Sequence, residues 1–165
     1  MAEPIHDKIK RSLHAADGLY HRLVLLVGDA GSGKTAALRD VANDFGTSVI
    51  NINLALSCEL LELTAKQRSL RLQGILDQIV GRVQSPVVLD NLEILFDNDL
   101  RQDPLRLLQG ISRNRSVVAS WSGKSSAGRL FYAEASHPEY RCYDHVDALF
   151  VSMDGTATVD SAEKP

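Results

Sequence analysis

The chain has 165 residues, a length that suits one compact domain with a substantial buried core. With 44% hydrophobic and 24% charged residues it has a globular composition, and its net charge of −3 argues against general electrostatic capture of nucleic acid. The two cysteines, Cys58 and Cys142, lie far apart in the sequence, so we expect reduced thiols. The polar first residues and the short apolar runs predict a cytoplasmic protein without a membrane span.

The first third of the chain predicts a helix, a buried strand and a phosphate-binding loop. Apolar residues recur every three or four positions over residues 5–20, and Leu23–Val27 is an aliphatic run. Residues Gly28–Thr35 then show the spacing G-x-x-x-x-G-K-T. The glycines of such a loop permit positive φ, and its backbone N–H groups point inward at an anion. The residues predicted to contact a nucleotide here are Gly28, Asp29, Ala30, Gly31, Ser32, Gly33, Lys34, Thr35 and Ala36.

Two side chains of this loop have specific predicted roles. Lys34 would reach the β- and γ-phosphates, and Thr35 would place its hydroxyl on Mg²⁺. An amphipathic helix follows and ends at Gly46. The alternative, a strand-to-helix turn that binds nothing, is disfavoured because the strand before the loop and the helix after it are the context that the motif requires.

Further strands and helices alternate along the middle of the chain. Residues 48–53 predict a second strand, residues 54–63 are apolar without a clear pattern, and Thr64 begins a helix with a capping box to Gln67. Val87–Asp90 is a short apolar strand that ends in a carboxylate. Downstream of a phosphate-binding loop, such an aspartate is the Walker B position, so we predict that Asp90 and Thr35 hold the metal.

The remaining elements are predicted in the same way. A helical turn over residues 91–96 precedes a helix that begins at Asp103-Pro104, and a buried strand covers residues 116–120. Ser120 closes that strand, where it would sense the γ-phosphate or simply end the strand. A polar segment, residues 126–143, leads to a fifth apolar strand at 146–153. We expect one domain over residues 1–153 and a flexible tail over 154–165.

This alternation predicts a three-layer α/β sandwich with a mainly parallel five-stranded sheet, the fold of a P-loop NTPase. The D-x-x-G and N-K-x-D motifs of GTPases occur nowhere in the sequence, which excludes that class. Small-molecule kinases usually carry an arginine-rich lid, whereas the arginines here are scattered. The pattern instead resembles the AAA+ and related additional-strand ATPases, reduced to a core that lacks the C-terminal helical lid.

Within that group the chain resembles the BrxF family, the small P-loop proteins of type 3 BREX bacteriophage-defence systems. The resemblance rests on Gly28–Thr35, Val88–Phe96, Val118–Gly123 and His137–Tyr140. It implies a bacterial or archaeal defence protein that binds ATP and Mg²⁺. It also implies that the protein works beside a methyltransferase, an alkaline-phosphatase-like component and a larger ATPase.

Hydrolysis would require a group that activates the attacking water. AAA+ enzymes usually have glutamate directly after the Walker B aspartate, and that position is Asn91 here, whose amide can hold a water but cannot accept its proton. The candidate catalytic residues are therefore Asp90, Asn91 and Glu93. On the predicted helical turn Glu93 is expected to point to solvent, and Glu59 or Glu62 are the alternatives.

Arginines can complete such a site from a neighbouring subunit. Their place in the AAA+ arrangement makes Arg129 and Arg141 the candidates, with an ordinary surface charge as the alternative. Basic residues also outnumber acidic ones between residues 101 and 129. That bias could serve a homo-oligomer interface or DNA phosphates, and a solvated face is the alternative.

Two functions from different classes follow. The first is an ATPase or ATP-driven switch that assembles with itself or with defence partners. The second is an adaptor that binds ATP without hydrolysing it, which Asn91 favours. A small-molecule kinase is a third alternative, for which the sequence identifies no acceptor.

Overall fold

The computed structural model describes residues 4–29, 31–126, 129–133 and 137–153, which form an α/β sandwich. The α-helices are α1 (Ile5–Ala16), α2 (Lys34–Phe45), α3 (Ile52–Leu60), α4 (Ala65–Gly81) and α5 (Pro104–Ile111). The strands are β1 (Leu23–Gly28), β2 (Val49–Asn51), β3 (Val87–Asp90), β4 (Val117–Ser126), β5 (Arg129–Tyr132), β6 (Arg141–Tyr143) and β7 (Leu149–Ser152). Ala30 and the predicted tail, residues 154–165, lie outside the described residues.

The main sheet has the strand order β2-β3-β4-β1-β7, and neighbouring strands in it are parallel. Parallel neighbours require crossover connections, and the helices that make them cover both faces of the sheet. The structure thus confirms the predicted α/β class and its mainly parallel sheet. The carboxyl ends of β1, β3 and β4 meet at one edge.

Strand β1 shows why the aliphatic run is continuous. Leu23, Leu25 and Val27 face a core shared with α3, α4 and α5. Val24 and Leu26 face the opposite core, formed with α1 and α2. Because successive side chains of a strand point to opposite faces, a strand with a core on both sides must be apolar throughout.

The region after β2 differs from the sequence prediction. The strand covers only residues 49–51, and the chain becomes helical at once as α3. The side chain of Asn51 caps this helix by accepting a hydrogen bond from the backbone N–H of Leu54 at 3.0 Å. The predicted capping box of α4 is present, with Thr64 and Gln67 each bonding the other's backbone N–H.

A second difference concerns the strand predicted to end at residue 120. Strand β4 continues to Ser126 and pairs in antiparallel fashion with β5, which pairs with β6. Residues 122–126 were not recognised as strand because serines and a lysine interrupt the apolar run. We call residues 121–143, as far as they are described, the hairpin segment.

Aromatic rings fasten the hairpin segment to the turn that follows β3. The rings of Phe96 and Tyr132 are stacked, with centroids 3.4 Å apart and planes 5° apart. Trp121 meets both rings edge-on, and its indole N–H donates to the carbonyl of Phe131 at 3.0 Å. The hydroxyl of Tyr143 donates to Asp103 at 3.0 Å. The segment is therefore held against the sheet by buried contacts.

In the described part of the chain, no helix combines the length and apolar character needed to cross a bilayer. Cys58 and Cys142 are free and exposed.

Gly123 allows the close approach of β4 and β5. A Cβ atom there would lie 1.9 Å from the carbonyl oxygen of Phe131, so we expect Gly123→Ala to lower the free energy of unfolding by about 1–3 kcal/mol. Gly74→Ala in α4 is the matched control. Its Cβ has open space, and alanine should stabilise the helix by about 0.5–1 kcal/mol. Urea denaturation measures both, and equal stability of the two variants would contradict this role of Gly123.

Candidate functional site

A cleft of about 1420 Å³ lies at the carboxyl ends of the central strands. One side is formed by the loop after β1 and the start of α2, the floor by the ends of β3 and β4, and the other side by the hairpin segment. The lining residues used below are Lys34, Thr35, Asp90, Asn91, Glu93, Ser120 and Tyr132.

The glycines of the loop take conformations that other residues avoid. Gly31 has φ 80° and Gly33 has φ 95°, both in the left-handed region. At Gly28 the constraint is space, since a Cβ atom would lie 2.6 Å from Ser32 Oγ and 2.9 Å from the side chain of Met153. Helix α2 begins directly after Gly33, so its first backbone N–H groups and its positive end face the cleft. This arrangement fits the phosphates of a nucleotide.

Lys34 brings a positive charge into the same loop. Its side chain is only 7% exposed, and its ammonium donates to the carbonyls of Gly28 at 3.0 Å and Asp29 at 2.8 Å. Burial lowers the pKa of this amine, an effect opposed by the carboxylates of Asp90, Glu93 and Asp29. An anion bound in the loop would compensate the cost of burying this charge.

Thr35 and Asp90 meet across the floor of the cleft. The Thr35 hydroxyl donates to Asp90 Oδ2 at 2.6 Å, although the two residues are 55 positions apart. Asp90 is 5% exposed, and its other oxygen accepts the backbone N–H of Asn91 at 2.9 Å. A hydroxyl and a carboxylate oxygen side by side are hard ligands of the kind that Mg²⁺ prefers, so this pair fits the predicted metal.

Asn91 is a turn residue as well as a residue of the cleft. Its φ is 56°, in the left-handed region that asparagine tolerates better than most residues. Its carbonyl accepts the backbone N–H of Asn53 at 2.9 Å. The turn directs the chain from the end of β3 into a 3₁₀ helix, Glu93–Phe96.

Glu93 lines the cleft, and the expectation that it points to solvent is wrong. The predicted helical turn is a 3₁₀ helix, in which side chains three positions apart lie above one another. Glu93 is half-buried, and its Oε1 accepts a hydrogen bond from Asn53 Nδ2 at 3.2 Å. The other end of the same amide accepts the backbone N–H of Ile94 at 2.7 Å.

Asn53 is the residue that sequence reasoning missed. It fixes both the carboxylate and the backbone of the 3₁₀ helix, because its amide donates to one and accepts from the other. Its position just after β2 could have identified it from the sequence, because polar residues that follow neighbouring parallel strands collect at one edge of the sheet.

Of the other predicted residues, one lies in the cleft, and the two glutamates and two arginines do not. Ser120 is 3% exposed and lines the cleft. Glu59 and Glu62 are exposed and are not among the cleft residues. Arg129 is exposed and forms an ion pair with Asp144 at 2.9 Å, and Arg141 lies over the Phe96 ring at 6.0 Å. Within the described residues, neither arginine contributes to the cleft, so neither completes the site within this chain.

The sheet order, the loop and the aspartate that ends β3 are those of a P-loop NTPase of the AAA+ kind. The family model AAA, described as ATPase family associated with various cellular activities, matches residues 24–115. The match covers more than half of the chain, and the chain belongs to this family. Membership supports an ATP-binding, ATPase-like function. No curated protein and no solved structure gives a significant match to the chain.

The two hydrogen bonds of Asn53 give a test of the site's framework. Asn53→Ala would leave the Ile94 N–H and the Glu93 carboxylate without these partners, and we expect a loss of about 1–3 kcal/mol in the free energy of unfolding. Asn98→Ala is the control, because the Asn98 side chain makes an exposed bond to the carbonyl of Pro138 at 3.3 Å, and its loss should cost less than about 0.5 kcal/mol. Chemical denaturation of both variants would distinguish a structural Asn53 from a peripheral one.

Proposed function

We propose that the chain binds ATP with Mg²⁺ in the cleft and hydrolyses its terminal phosphate, so that the nucleotide state controls its associations. The observation that carries this proposal is the convergence of Lys34, the Thr35–Asp90 pair and Glu93 on one cleft. Family membership supports the choice of ATP as the nucleotide.

The phosphates are bound mainly by the loop and the start of α2. Backbone N–H groups and the helix dipole stabilise negative charge there, and the Lys34 ammonium contacts the β- and γ-phosphates. Asp29 and Ala36 flank the phosphates at the two ends of the loop, and Ser120 faces the γ-phosphate from β4. Thr35 and Asp90 would hold Mg²⁺, which supplies charge neutralisation to the phosphate oxygens.

Glu93 is the carboxylate proposed to activate the water. The water oxygen attacks the γ-phosphorus while its proton passes to Glu93, and the bond from the γ-phosphorus to the bridging oxygen breaks to leave ADP and phosphate. Asn53 donates to this carboxylate and thereby holds it beside the cleft. Asn91 holds water without accepting its proton. This division of roles leaves the position after Asp90 without a base and predicts slow turnover.

A second candidate is an adaptor that binds ATP but does not hydrolyse it. The specific observation in its favour is Asn91, whose side chain lines the cleft where glutamate is usual in the family. In that case the nucleotide orders the loop, and the protein acts by docking to partners.

A more specific proposal concerns the biological process in which the protein acts. The resemblance of four stretches of the sequence to BrxF supports a role in a multi-protein bacteriophage-defence complex, with DNA contacted directly or through partners. Genes for a methyltransferase and a phosphatase-like protein beside this one are expected, and co-purification with their products tests the association. An isolated gene would argue against the defence setting and leave the nucleotide chemistry unaffected.

ATP binding is tested at Lys34. We expect Lys34→Ala to weaken binding of Mg·ATP by about tenfold to a hundredfold, because a charged hydrogen-bond donor to the phosphates is lost. Thermal stability should change little, because removal of a buried charge offsets the loss of the Lys34 hydrogen bonds to the carbonyls of Gly28 and Asp29. Lys66→Ala, an exposed lysine of α4, is the control, and isothermal titration calorimetry measures both. Unchanged affinity in Lys34→Ala would contradict the proposed site.

Hydrolysis is tested at Glu93. Glu93→Gln keeps the size of the side chain but cannot accept a proton, so we expect kcat to fall by at least about a hundredfold with ATP affinity retained. Glu62→Gln, on the surface, should match the wild type. Phosphate release is the measurement. Full turnover in Glu93→Gln would exclude Glu93 as the base, and a wild type that binds ATP without turnover would favour the adaptor.

A further inference from the structure

The hairpin segment contributes a buried side chain, Tyr132, to the cleft. This side chain has no role in the chemistry proposed above. Tyr132, the last residue of β5, is 5% exposed and lines the cleft together with Lys34, Asp90 and Glu93. It comes from a part of the chain beyond residues 24–115, the range matched by the family.

The position of Tyr132 relative to Glu93 follows from the 3₁₀ helix. Glu93 and Phe96 are three positions apart, so their side chains leave the same side of that helix. The Tyr132 ring is stacked on the Phe96 ring at 3.4 Å. Tyr132 therefore lies next to Glu93, the carboxylate proposed to activate the attacking water.

The hydroxyl of Tyr132 differs in its hydrogen bonding from the polar groups of the neighbouring aromatic residues, Trp121 and Tyr143. The Tyr143 hydroxyl donates to Asp103, and the Trp121 indole donates to the carbonyl of Phe131. The Tyr132 hydroxyl has no hydrogen-bond partner among the residues that the structure describes. The hydroxyl oxygen is not among the fully buried unpaired atoms of the described residues, which belong to Arg115 and Arg141, so it is open to the cleft and can donate to a ligand there.

The charge environment keeps this hydroxyl protonated. Burial raises the pKa of Tyr132 above its usual value, and the carboxylates of Glu93 and Glu139 raise it further. The group is thus a hydrogen-bond donor at all physiological pH values. The oxygens of a triphosphate are acceptors, and the P-loop would present the terminal ones to this side of the cleft.

We propose that the Tyr132 hydroxyl donates a hydrogen bond to the terminal phosphate of the bound nucleoside triphosphate. The inference rests on the proposed function, since it requires a nucleotide in the P-loop. Because a diphosphate lacks the terminal phosphate, this hydrogen bond would let the hairpin segment distinguish the triphosphate from the diphosphate. Phe96 positions the tyrosine ring, and Tyr132 is the residue that touches the ligand.

The test compares the affinities for two nucleotides in the full chain. Tyr132→Phe keeps the ring and its stacking and removes only the hydroxyl. We expect Mg·ATP to bind about tenfold more weakly to this variant and Mg·ADP to bind as it does to the wild type. Tyr143→Phe is the matched control, because the Tyr143 hydroxyl donates to Asp103 and does not line the cleft. This variant should leave the ratio of the two affinities unchanged.

A second measurement needs no variant. Amide hydrogen exchange of residues 129–133 in the wild type should be slower with a non-hydrolysable Mg·ATP analogue than with Mg·ADP. An unchanged ATP-to-ADP affinity ratio in Tyr132→Phe, or equal exchange with both nucleotides, would overturn the inference while leaving the proposed function intact. A wild type that binds neither nucleotide would overturn both, and that result is obtained before any variant is made.

Discussion

The pairing of β4 with β1 on one side and with β3 on the other determines where the phosphate-binding loop and Asp90 lie. Val118 is in register with Val24 and with Val88, so the three strands run side by side, and β1 and β3 end at the same edge. The loop after β1 and the aspartate that ends β3 are brought together by this register. The short hydrogen bond between Thr35 and Asp90 is its direct result.

The parts of the site that the sequence predicted depend on short-range patterns. The spacing from Gly28 to Thr35 and the apolar strand before Asp90 are each contained in a few consecutive residues, and strand alternation gave the α/β class. Asn53 could not be assigned in this way, because its role depends on a partner 40 positions away. Glu93 was misjudged because an α-helical and a 3₁₀ turn of the same residues direct the side chain differently.

The hairpin segment escaped prediction for a related reason. Three consecutive residues of its part of β4, Ser122, Gly123 and Lys124, line the cleft, so the apolar signal of a buried strand is lost there. The family match stops at residue 115, before this segment begins. The stacked pair of Phe96 and Tyr132 is one of the contacts through which the segment packs on the shared core. The matched range and the segment beyond it therefore meet at an aromatic contact beside the cleft.

The left-handed backbone at Asn91 also limits which residues this position accepts. Glutamate is the residue usual in AAA+ ATPases directly after the Walker B aspartate. A glutamate with φ near 56° would carry a conformational penalty of about 1–2 kcal/mol, and relief of that strain would disturb the carbonyl that receives the Asn53 N–H. The local geometry therefore favours retention of the amide at this position.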